Sequence, residues 1–457
     1  MSTPKHELTM TREVYEEPTI SRNYQWAAAR NGHGVTVPAV TEIDGVGVPA
    51  LLERFGSPLY VLSEQALRTR YRELVKAFRA QYQNTIVAYS VKTNYLSAVC
   101  GILFQEGAWA EVVSGFELTI AEDLKVPGTR TIFNGPSKRK DDLARAFGNR
   151  VLLNLDSFDE LLLAEAVARE MGEPQQVGLR LNMGIGYPPW DKFGFNLESG
   201  QALEACRRAM GSGLLNVTGL HAHAGTYLPD PGVYAKVAEN LLVFAGLIES
   251  QFGVTVEYLD LGGGFPSSNT LLSHVFPAEG TSPAPVQYAE AIGAVLRRGV
   301  ERLKRKPMLF IEPGRVLVDE TMCLLSTVLA VKRLPNGNKA AIIDAGVHLL
   351  PTAYYFKHEI APVSASGRAA EDVTLYGPLC MQIDVVRSAV KLPPLRTGSQ
   401  LVIKNVGAYN LAQSMQFIFP RPAVVLVNKG EAEIVRAAET AQDVRRLERL
   451  PTHLVPA

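Results

Sequence analysis

The feature that most constrains this chain is a pattern that repeats from about residue 86 to residue 315. Each unit has a short run rich in apolar and β-branched residues, then a turn and an amphipathic helical stretch. Eight runs follow this pattern: "TIVAYSVK" near 86, "AWAEVVS" near 108, "TIFNGP" near 131, "VLLNLDS" near 151, "QVGLRLN" near 176, "NVTGLHAHAG" near 216, "VEYLDLGGG" near 256 and "MLFIEPG" near 308. Eight βα units predict an α/β fold with a closed (β/α)8 TIM-like barrel, and a doubly wound open sheet is the alternative.

The pattern changes after about residue 315. Strand-like runs such as "TMCLLSTVLAVKR", "KAAIIDAGV", "QLVIKNVGAY" and "AVVLVNKGEAEIVRAAE" follow one another with Pro and Gly turns and little helix between them. This texture predicts a β-rich second domain, sandwich-like or barrel-like. An earlier run, "PLYVLS" near 58, precedes the barrel. We therefore expect an N-terminal segment (1–60) that partly joins the second domain, a barrel (61–315) and a C-terminal β domain (316–457).

Composition excludes several classes of function. The chain has 457 residues, 47% hydrophobic and 20% charged, and Lys+Arg and Asp+Glu are both 46. No net charge recruits nucleic acid or an anionic membrane, so a small neutral or zwitterionic partner is expected. The start has no apolar signal region and no later segment has roughly 18 uninterrupted apolar residues, which favours a soluble cytoplasmic protein. Four cysteines lie far apart without CxxC spacing, which argues against a disulfide framework or a structural metal.

Polar residues and glycines stand at almost every predicted strand end. In a barrel of this kind the carboxyl ends of the strands converge on one face and form the active site. The residues at these ends are Lys92, Glu111 with Ser114, Asn134, Arg180, His223, Gly262 to Gly264, and Glu312 with Arg315. Lys92 is notable because an ammonium group at the end of a buried strand is costly unless it is paired, neutralised or used. Burial also lowers the pKa of a lysine toward that of a usable amine nucleophile.

Together these residues match the needs of one cofactor. A lysine can form a Schiff base, a glycine loop can approach a phosphate with its backbone amides, and an arginine can bind the same phosphate. An acid can pair with a pyridinium nitrogen. The set predicts a pyridoxal 5′-phosphate site.

An ordered series of motifs also resembles a known family. The motifs, over about residues 55–425, are "YSVKTN", "VVSGFEL", "GLHAHAGT", "LDLGGGF", "EPGR", "GPLC" and "GAY". They resemble those of the barrel-type (fold type III) pyridoxal-phosphate-dependent amino-acid decarboxylases, which include diaminopimelate, ornithine and arginine decarboxylases. The resemblance implies a decarboxylase that removes the α-carboxylate of an amino acid through a Lys92 aldimine and a quinonoid intermediate.

The resemblance also implies a role for individual residues. His223 would stack on the cofactor ring, and Arg180 would lie near its phenolic oxygen. Glu312 would pair with the ring nitrogen and keep it protonated, which favours decarboxylation over racemisation. The phosphate or the adjacent substrate carboxylate would be held by Gly262, Gly263, Gly264, Arg315 and Tyr409. Cys380 would enter from the neighbouring subunit as a proton donor, so the active unit would be a homodimer with shared active sites.

Two departures from the family concern the substrate. Met381 stands next to Cys380, where diaminopimelate enzymes usually have a glutamate and ornithine enzymes an aspartate, and a thioether cannot hold a distal ammonium. The "DAG" segment is also not followed by the arginine that binds a distal carboxylate. These changes resemble the branch that decarboxylates conjugated or carrier-protein-linked amino acids in siderophore or antibiotic biosynthesis. Arg315, Met381 and Tyr409 are the expected substrate contacts.

Other interpretations stay open from sequence alone. A diaminopimelate decarboxylase of lysine biosynthesis is the alternative within the class. From other classes come an inactive homologue that acts as a binding partner, a racemase, and a metal-dependent barrel hydrolase. Lys92 could simply extend from a strand end to solvent, and Cys380 could be a small buried hydrophobe. His221 and His223 share one face of a strand and could form a metal pair, although no metal site is predicted.

Overall fold

The computed structural model describes residues 37–185, 190–272, 282–364 and 369–454. Its strands are β1 (Glu42–Ile43), β2 (Val46–Gly47), β3 (Leu59–Ser63), β4 (Thr85–Ser90), β5 (Trp109–Val112), β6 (Thr131–Phe133), β7 (Leu152–Leu155), β8 (Gln175–Asn182), β9 (Phe195–Asn196), β10 (Leu215–Ala222), β11 (Tyr258–Asp260), β12 (Thr270–Leu271), β13 (Met308–Ile311), β14 (Met322–Arg333), β15 (Lys339–Ile343), β16 (Phe356–Lys357), β17 (Ile360–Pro362), β18 (Glu371–Tyr376), β19 (Val385–Leu392), β20 (Gln400–Ile403), β21 (Val424–Asn428) and β22 (Glu431–Arg436).

The helices are α1 (Val48–Phe55), α2 (Glu64–Gln81), α3 (Ser97–Gln105), α4 (Gly115–Asp123), α5 (Lys140–Gly148), α6 (Phe158–Met171), α7 (Gln201–Gly211), α8 (Pro231–Phe252), α9 (Pro285–Gly299), α10 (Arg315–Val318), α11 (Asn410–Gln413) and α12 (Ala441–Arg445). Residues 1–36 of the predicted N-terminal segment lie outside the described residues. The domain boundaries at 60 and 315 stay a prediction.

Eight parallel strands form a closed barrel. Their order around the ring is β10, β11, β13, β4, β5, β6, β7 and β8, and β8 pairs with β10 to close it. All eight strands lie within or beside the runs predicted from the sequence. The closed barrel is confirmed, and the open doubly wound sheet is wrong because its edge strands would not pair.

The barrel interior is filled by a small cluster of side chains that includes Ala88, Ile132, Tyr258 and Phe310. The Tyr258 ring occupies so much of this space that a Cβ atom on Gly219 would lie 1.9 Å from its Cζ atom. Glycine is therefore required at this position of β10, because any larger residue would displace the ring.

Local sequence signals start and end the surrounding helices. The hydroxyls of Ser114 and Ser157 accept hydrogen bonds from the N–H groups of Glu117 and Glu160, at 3.3 and 3.2 Å, and cap α4 and α6. Gly172 ends α6 in the left-handed conformation. Among the described helices, α8 alone is long and apolar enough to span a membrane. It packs against β10 and α9 as an outer helix of the barrel.

The second part of the chain is built around a strongly branched β-sheet, which confirms a β-rich second domain. The order is β19, β18, β15, β14, β3, β21 and β22, and β20 pairs with both β14 and β17. Strand β3 comes from before the barrel, runs antiparallel to β14 and parallel to β21. Tyr409 N donates to Thr93 O at 2.9 Å, and Asn94 Nδ2 donates to Gly407 O at 2.9 Å. The sheet region therefore contacts the face of the barrel where the strands end.

Candidate active site

A cavity of about 230 Å³ lies at the carboxyl ends of the barrel strands. It is lined by most of the site residues predicted from sequence, namely Lys92, Arg180, His223, Gly264, Glu312, Arg315 and Tyr409. Glu111 and Asn134 line it as well. The convergence of these strand ends follows from the barrel topology.

Lys92 and Glu111 form an ion pair in this cavity. Lys92 lies in a short 3-10 turn after β4, and its Nζ atom is 2.6 Å from Oε2 of Glu111 on β5. Glu111 is 1% exposed and also accepts hydrogen bonds from Ser90 Oγ and Asn134 Nδ2. Burial opposes the charged amine, but the carboxylates of Glu111 and Glu312 and the Tyr409 hydroxyl outweigh it and raise the pKa of Lys92 above its usual value. The expectation that burial leaves Lys92 with a lowered pKa is therefore wrong, because the neighbouring groups outweigh the effect of burial.

Glu312 lies beneath the cavity in a buried cluster with His221 and Asp260. Nitrogen and oxygen atoms of the three side chains lie within 4.8 Å of one another. Burial alone would raise the pKa of Glu312, but His221 and Lys92 hold it below its usual value. Burial and the neighbouring Glu312 raise the pKa of Asp260 well above its usual value. The pair thus favours an ionised Glu312 beside a protonated Asp260. An ionised Glu312 suits a cofactor whose ring nitrogen is protonated.

A chain of hydrogen bonds connects Glu111 and Glu312 to the barrel interior. Tyr258 OH donates to Asn154 Oδ1 at 2.8 Å, and Asn154 Nδ2 donates to Asn134 Oδ1 at 2.8 Å. Asn134 Nδ2 in turn donates to Glu111 Oε1 at 3.1 Å and to Glu312 Oε1 at 2.5 Å. This chain fixes the orientation of the Asn134 amide and, through it, the spacing of the two carboxylates.

His223 presents a neutral ring to the cavity. Its Nδ1 atom accepts a hydrogen bond from Gly263 N at 2.9 Å, so this nitrogen carries no proton. Burial and the positive charges of Arg180 and Lys92 lower its pKa well below the usual value. Trp190 lies against it with 4.9 Å between ring centroids. A flat uncharged ring of this kind is suited to stack on an aromatic cofactor.

Arg180 lies on the same wall of the cavity as His223. Its Nη1 atom is 3.2 Å from Oδ1 of Asp156, and its guanidinium carbon lies 4.4 Å from the centroid of the Phe193 ring. These contacts fix the direction of the guanidinium.

The glycine loop lies next to His223, and its Gly264 lines the cavity together with Arg315. Gly262 and Gly264 have positive φ angles of 65° and 93°, and a Cβ atom on Gly263 would lie 2.3 Å from Glu312 O. Only backbone is tolerated there. Arg315 Nη1 is buried and has no hydrogen-bond partner among the described residues, and the guanidinium stacks over the Tyr409 ring at 5.1 Å. A buried guanidinium nitrogen without a hydrogen-bond acceptor fits an anion such as a phosphate. The residues present therefore fit pyridoxal 5′-phosphate.

Several predicted residues are not brought to this cavity by one chain. Cys380 is exposed in the segment between β18 and β19, and neither it nor Met381 lines the cavity.

Sequence reasoning missed four residues of the site: Asn154, Asp156, Trp190 and Asp260. Asn154, Asp156 and Asp260 are polar residues within or directly after predicted strands, in "VLLNLDS" and "VEYLDLGGG". A polar residue in an otherwise buried strand was the signal that could have identified them. Trp190 belongs to the connection after β8, which has no periodic pattern.

Comparisons with known proteins agree with this geometry. Residues 68–319, more than half of the chain, match the family described as "Pyridoxal-dependent decarboxylase, pyridoxal binding domain". Diaminopimelate decarboxylase of Methanocaldococcus jannaschii is 31% identical over 383 residues, covering 81% of this chain and 85% of the relative. That of Actinosynnema pretiosum subsp. auranticum is 34% identical over 359 residues, covering 75% and 78%.

The fold comparison points to the same family. The crystal structure of the M. jannaschii diaminopimelate decarboxylase with L-lysine matches with a TM-score of 0.84 and 30% identity, covering 93% of this chain and 100% of that chain. The architecture is therefore shared over nearly the whole length, and the sequence similarity extends over three quarters of the chain or more. The chain belongs to the fold type III pyridoxal-phosphate-dependent decarboxylases and is an amino-acid decarboxylase that uses pyridoxal 5′-phosphate.

Proposed function

We propose that this enzyme removes the α-carboxyl group of a conjugated or carrier-linked amino acid in siderophore or antibiotic biosynthesis. The observation that carries the proposal is the segment Cys380–Ile383, "CMQI", which contains no charged side chain. Within it Cys380 is exposed and the Ile383 side chain is 57% exposed. If this segment faces the substrate, it offers no partner for a distal ammonium group, and an uncharged or masked distal end suits it better.

We further propose a cytoplasmic homodimer with shared active sites. In one chain Cys380 lies outside the cavity, and large apolar side chains on the same domain are exposed, including Tyr355 at 61% and Phe417 at 43%. A second copy would cover this surface and bring Cys380 to the neighbouring cavity. The Cys380 thiol would then donate a proton to the α-carbon of the substrate.

The residues of the cavity divide the work of the reaction. When bound, pyridoxal 5′-phosphate accepts the electron pair that is released as the α-carboxyl group leaves as carbon dioxide. Lys92 would hold the cofactor, with Glu111 beside its amine. His223 would stack on the ring, and Arg180 would lie near the phenolic oxygen. Glu312 would keep the ring nitrogen protonated, which its lowered pKa supports.

The opposite end of the cofactor would be held by backbone and cationic groups. Gly262, Gly263 and Gly264 would let the phosphate approach the backbone because they carry no side chains, with Gly264 lining the cavity. The N–H groups of Gly262 and Gly263 already donate to Asp260 and His223, and Arg315 and Tyr409 close this end of the cavity. Arg315 and Tyr409 would also contact the carboxylate of the substrate, and Met381 of the partner subunit would contact its distal end.

Decarboxylation of diaminopimelate is the second candidate, and the names of the relatives favour it. The presence of Lys92, Glu312 and Cys380 favours either enzyme over an inactive homologue that only binds a partner.

Release of labelled carbon dioxide from α-carboxyl-labelled amino acids tests the proposal. The substrates are meso-diaminopimelate, ornithine, arginine, citryl conjugates of diamino acids and carrier-bound glutamate. We expect a kcat/KM for one conjugate at least ~100-fold above that for meso-diaminopimelate. Efficient release from meso-diaminopimelate, with no conjugate turned over, would establish the second candidate instead.

A charge introduced beside Cys380 tests whether this segment contacts the distal end of the substrate. Met381→Glu should raise turnover of substrates with a distal ammonium, because it supplies the missing carboxylate. Gln382→Glu, at the exposed next position, places the same charge one residue away and should have little effect. Equal effects of the two variants would show that Met381 does not face the substrate.

A further inference from the structure

Asp319 is a buried acid that the cavity residues do not include. It follows α10, one helical turn after Arg315, and is 1% exposed. Its Oδ2 atom accepts hydrogen bonds from Ser267 Oγ at 2.5 Å and Asn269 Nδ2 at 2.9 Å and lies 3.8 Å from Arg315 Nη1. A buried carboxylate with this many partners holds several chain segments in one arrangement.

The other oxygen of Asp319 reaches the second domain. Its Oδ1 atom accepts a hydrogen bond from Ala408 N at 3.2 Å, and its backbone carbonyl accepts one from Gly407 N at 3.0 Å. The two backbones approach so closely that a Cβ atom on Gly407 would lie 1.7 Å from Val318 O. Asp319 thus binds the segment that leads directly into Tyr409.

Tyr409 is held from both sides as a result. Its φ angle of 63° is in the left-handed region, which a tyrosine adopts only when its surroundings impose it. Its N–H group donates to Thr93 O at 2.9 Å, and the preceding residue is bound by Asp319. The Arg315 guanidinium lies 5.1 Å from the Tyr409 ring centroid.

We propose that Asp319 is a positioning residue that sets Arg315 and Tyr409 in place together at the phosphate end of the cofactor site. It acts through these two residues, and the inference rests on their proposed assignment to the phosphate. The charge of Asp319 attracts the Arg315 guanidinium and so directs it. Because the Nη1 atom of Arg315 is 3.8 Å from the carboxylate and makes no hydrogen bond, it can still donate to an anion. The carboxylate therefore links an arginine of the barrel to a tyrosine of the second domain.

The affinity for pyridoxal 5′-phosphate, compared with that for pyridoxal, tests this proposal. The two molecules share the ring and the aldehyde that attaches to Lys92, and only the first carries a phosphate. Asp319→Ala should weaken binding of pyridoxal 5′-phosphate roughly tenfold or more, measured by absorbance titration, because the phosphate contacts are misplaced. Binding of pyridoxal should change less than about twofold.

Two further variants keep the result interpretable. Asp319→Asn retains an acceptor for Ala408 N without the charge beside Arg315, so it should show a smaller loss and should fold if Asp319→Ala does not. Glu249→Gln is the matched control. Glu249 is also buried and accepts hydrogen bonds from Val256 N and Lys304 N, at the amino ends of the strands. It should lower thermal stability without changing the ratio of the two affinities.

The outcomes separate the inference from the assignment on which it rests. If the Asp319 variants weaken the binding of both molecules equally, or weaken neither, the positioning role is overturned. Arg315→Gln provides the second arm. If Arg315→Gln lowers the affinity for pyridoxal 5′-phosphate relative to that for pyridoxal while the Asp319 variants do not, only the inference about Asp319 is wrong. If neither changes the ratio, the assignment of Arg315 to the phosphate is wrong as well.

Discussion

The Nζ atom of Lys92 lies 2.6 Å from Oε2 of Glu111, at the carboxyl ends of two neighbouring barrel strands. Glu111 is buried and its remaining contacts come from Ser90 and Asn134, so its position does not depend on Lys92 alone. The carboxylate explains how a lysine is accommodated at the end of a buried strand: the charge is paired. It also raises the pKa of the Lys92 amine, which we propose attaches the cofactor.

Replacing Glu111 should make the Lys92 amine easier to deprotonate. In Glu111→Gln the side-chain oxygen can still accept from Asn134, but the opposing charge is gone and the pKa of Lys92 falls. The rate at which colour forms after pyridoxal 5′-phosphate is added to the cofactor-free protein should then reach its maximum at a lower pH. An unchanged pH profile would show that Glu111 does not control this amine. Glu122→Gln, on the exposed side of α4, is the control.

Glu312 should be needed for turnover more than for cofactor binding. In Glu312→Gln the side chain can still accept the hydrogen bond from Asn134, but it cannot keep a ring nitrogen protonated. We expect kcat to fall roughly 100-fold or more while the protein retains its cofactor. Steady-state kinetics and an absorbance measurement of bound cofactor check this. A kcat close to that of the wild type would remove Glu312 from the proposed role.

The proposed sharing of active sites between two subunits predicts complementation between two inactive variants. Lys92→Ala removes the cofactor lysine, and Cys380→Ala removes the proton donor that a partner would supply. Random reassembly of an equal mixture makes half of the dimers mixed, with one intact site in two, so about a quarter of wild-type activity should return. If no activity returns although mixed dimers are detected by mass spectrometry, the two residues act in the same chain.

Glu117 should make stability depend on pH. Glu117 is buried, and this burial raises its pKa from 4.5 to about 7. A hydrogen bond from Val113 N opposes the shift, and the charge of Glu111 adds to it. A raised folded-state pKa means that stability is present below pH 4.5 and is lost as the pH rises through 7.

The Gln side chain in Glu117→Gln stays neutral at every pH. The variant should therefore become more stable relative to the wild type as the pH rises. Its free energy of unfolding, relative to the wild type, should increase by about 2 to 3 kcal/mol between pH 4.5 and pH 8. Urea denaturation at both pH values measures this difference. A constant difference between the two proteins would mean that Glu117 ionises normally.

The barrel and most of its site could be predicted from sequence because both depend on local patterns. Buried strands are recognisable in a sequence as apolar runs. The residues at the carboxyl ends of these runs meet on one face of a closed barrel. For this reason Lys92, Arg180, His223 and Glu312 were found as a set. The buried runs of β14, β20 and β21 were found in the same way.

Other features depend on distances between elements and were not predictable in this way. The hydrogen bond from Tyr258 to Asn154 joins β11 to β7 across the barrel interior, and its existence depends on the closed geometry. Strands β18 and β19 were missed because most of their residues are half-buried or exposed, which weakens the apolar signal. In the proposed dimer the surroundings of Cys380 would include a second chain, which the pattern of one sequence does not position.

The most direct test of the account is to find which residue holds the cofactor. The protein is loaded with pyridoxal 5′-phosphate, reduced with borohydride and digested, and the labelled peptides are identified by mass spectrometry. We predict one labelled site, Lys92 in the peptide containing "YSVKTN", and loss of this label in Lys92→Ala but not in Lys140→Ala, an exposed lysine paired with Glu170. A label on another lysine, or a specific label that survives in Lys92→Ala, would contradict the account.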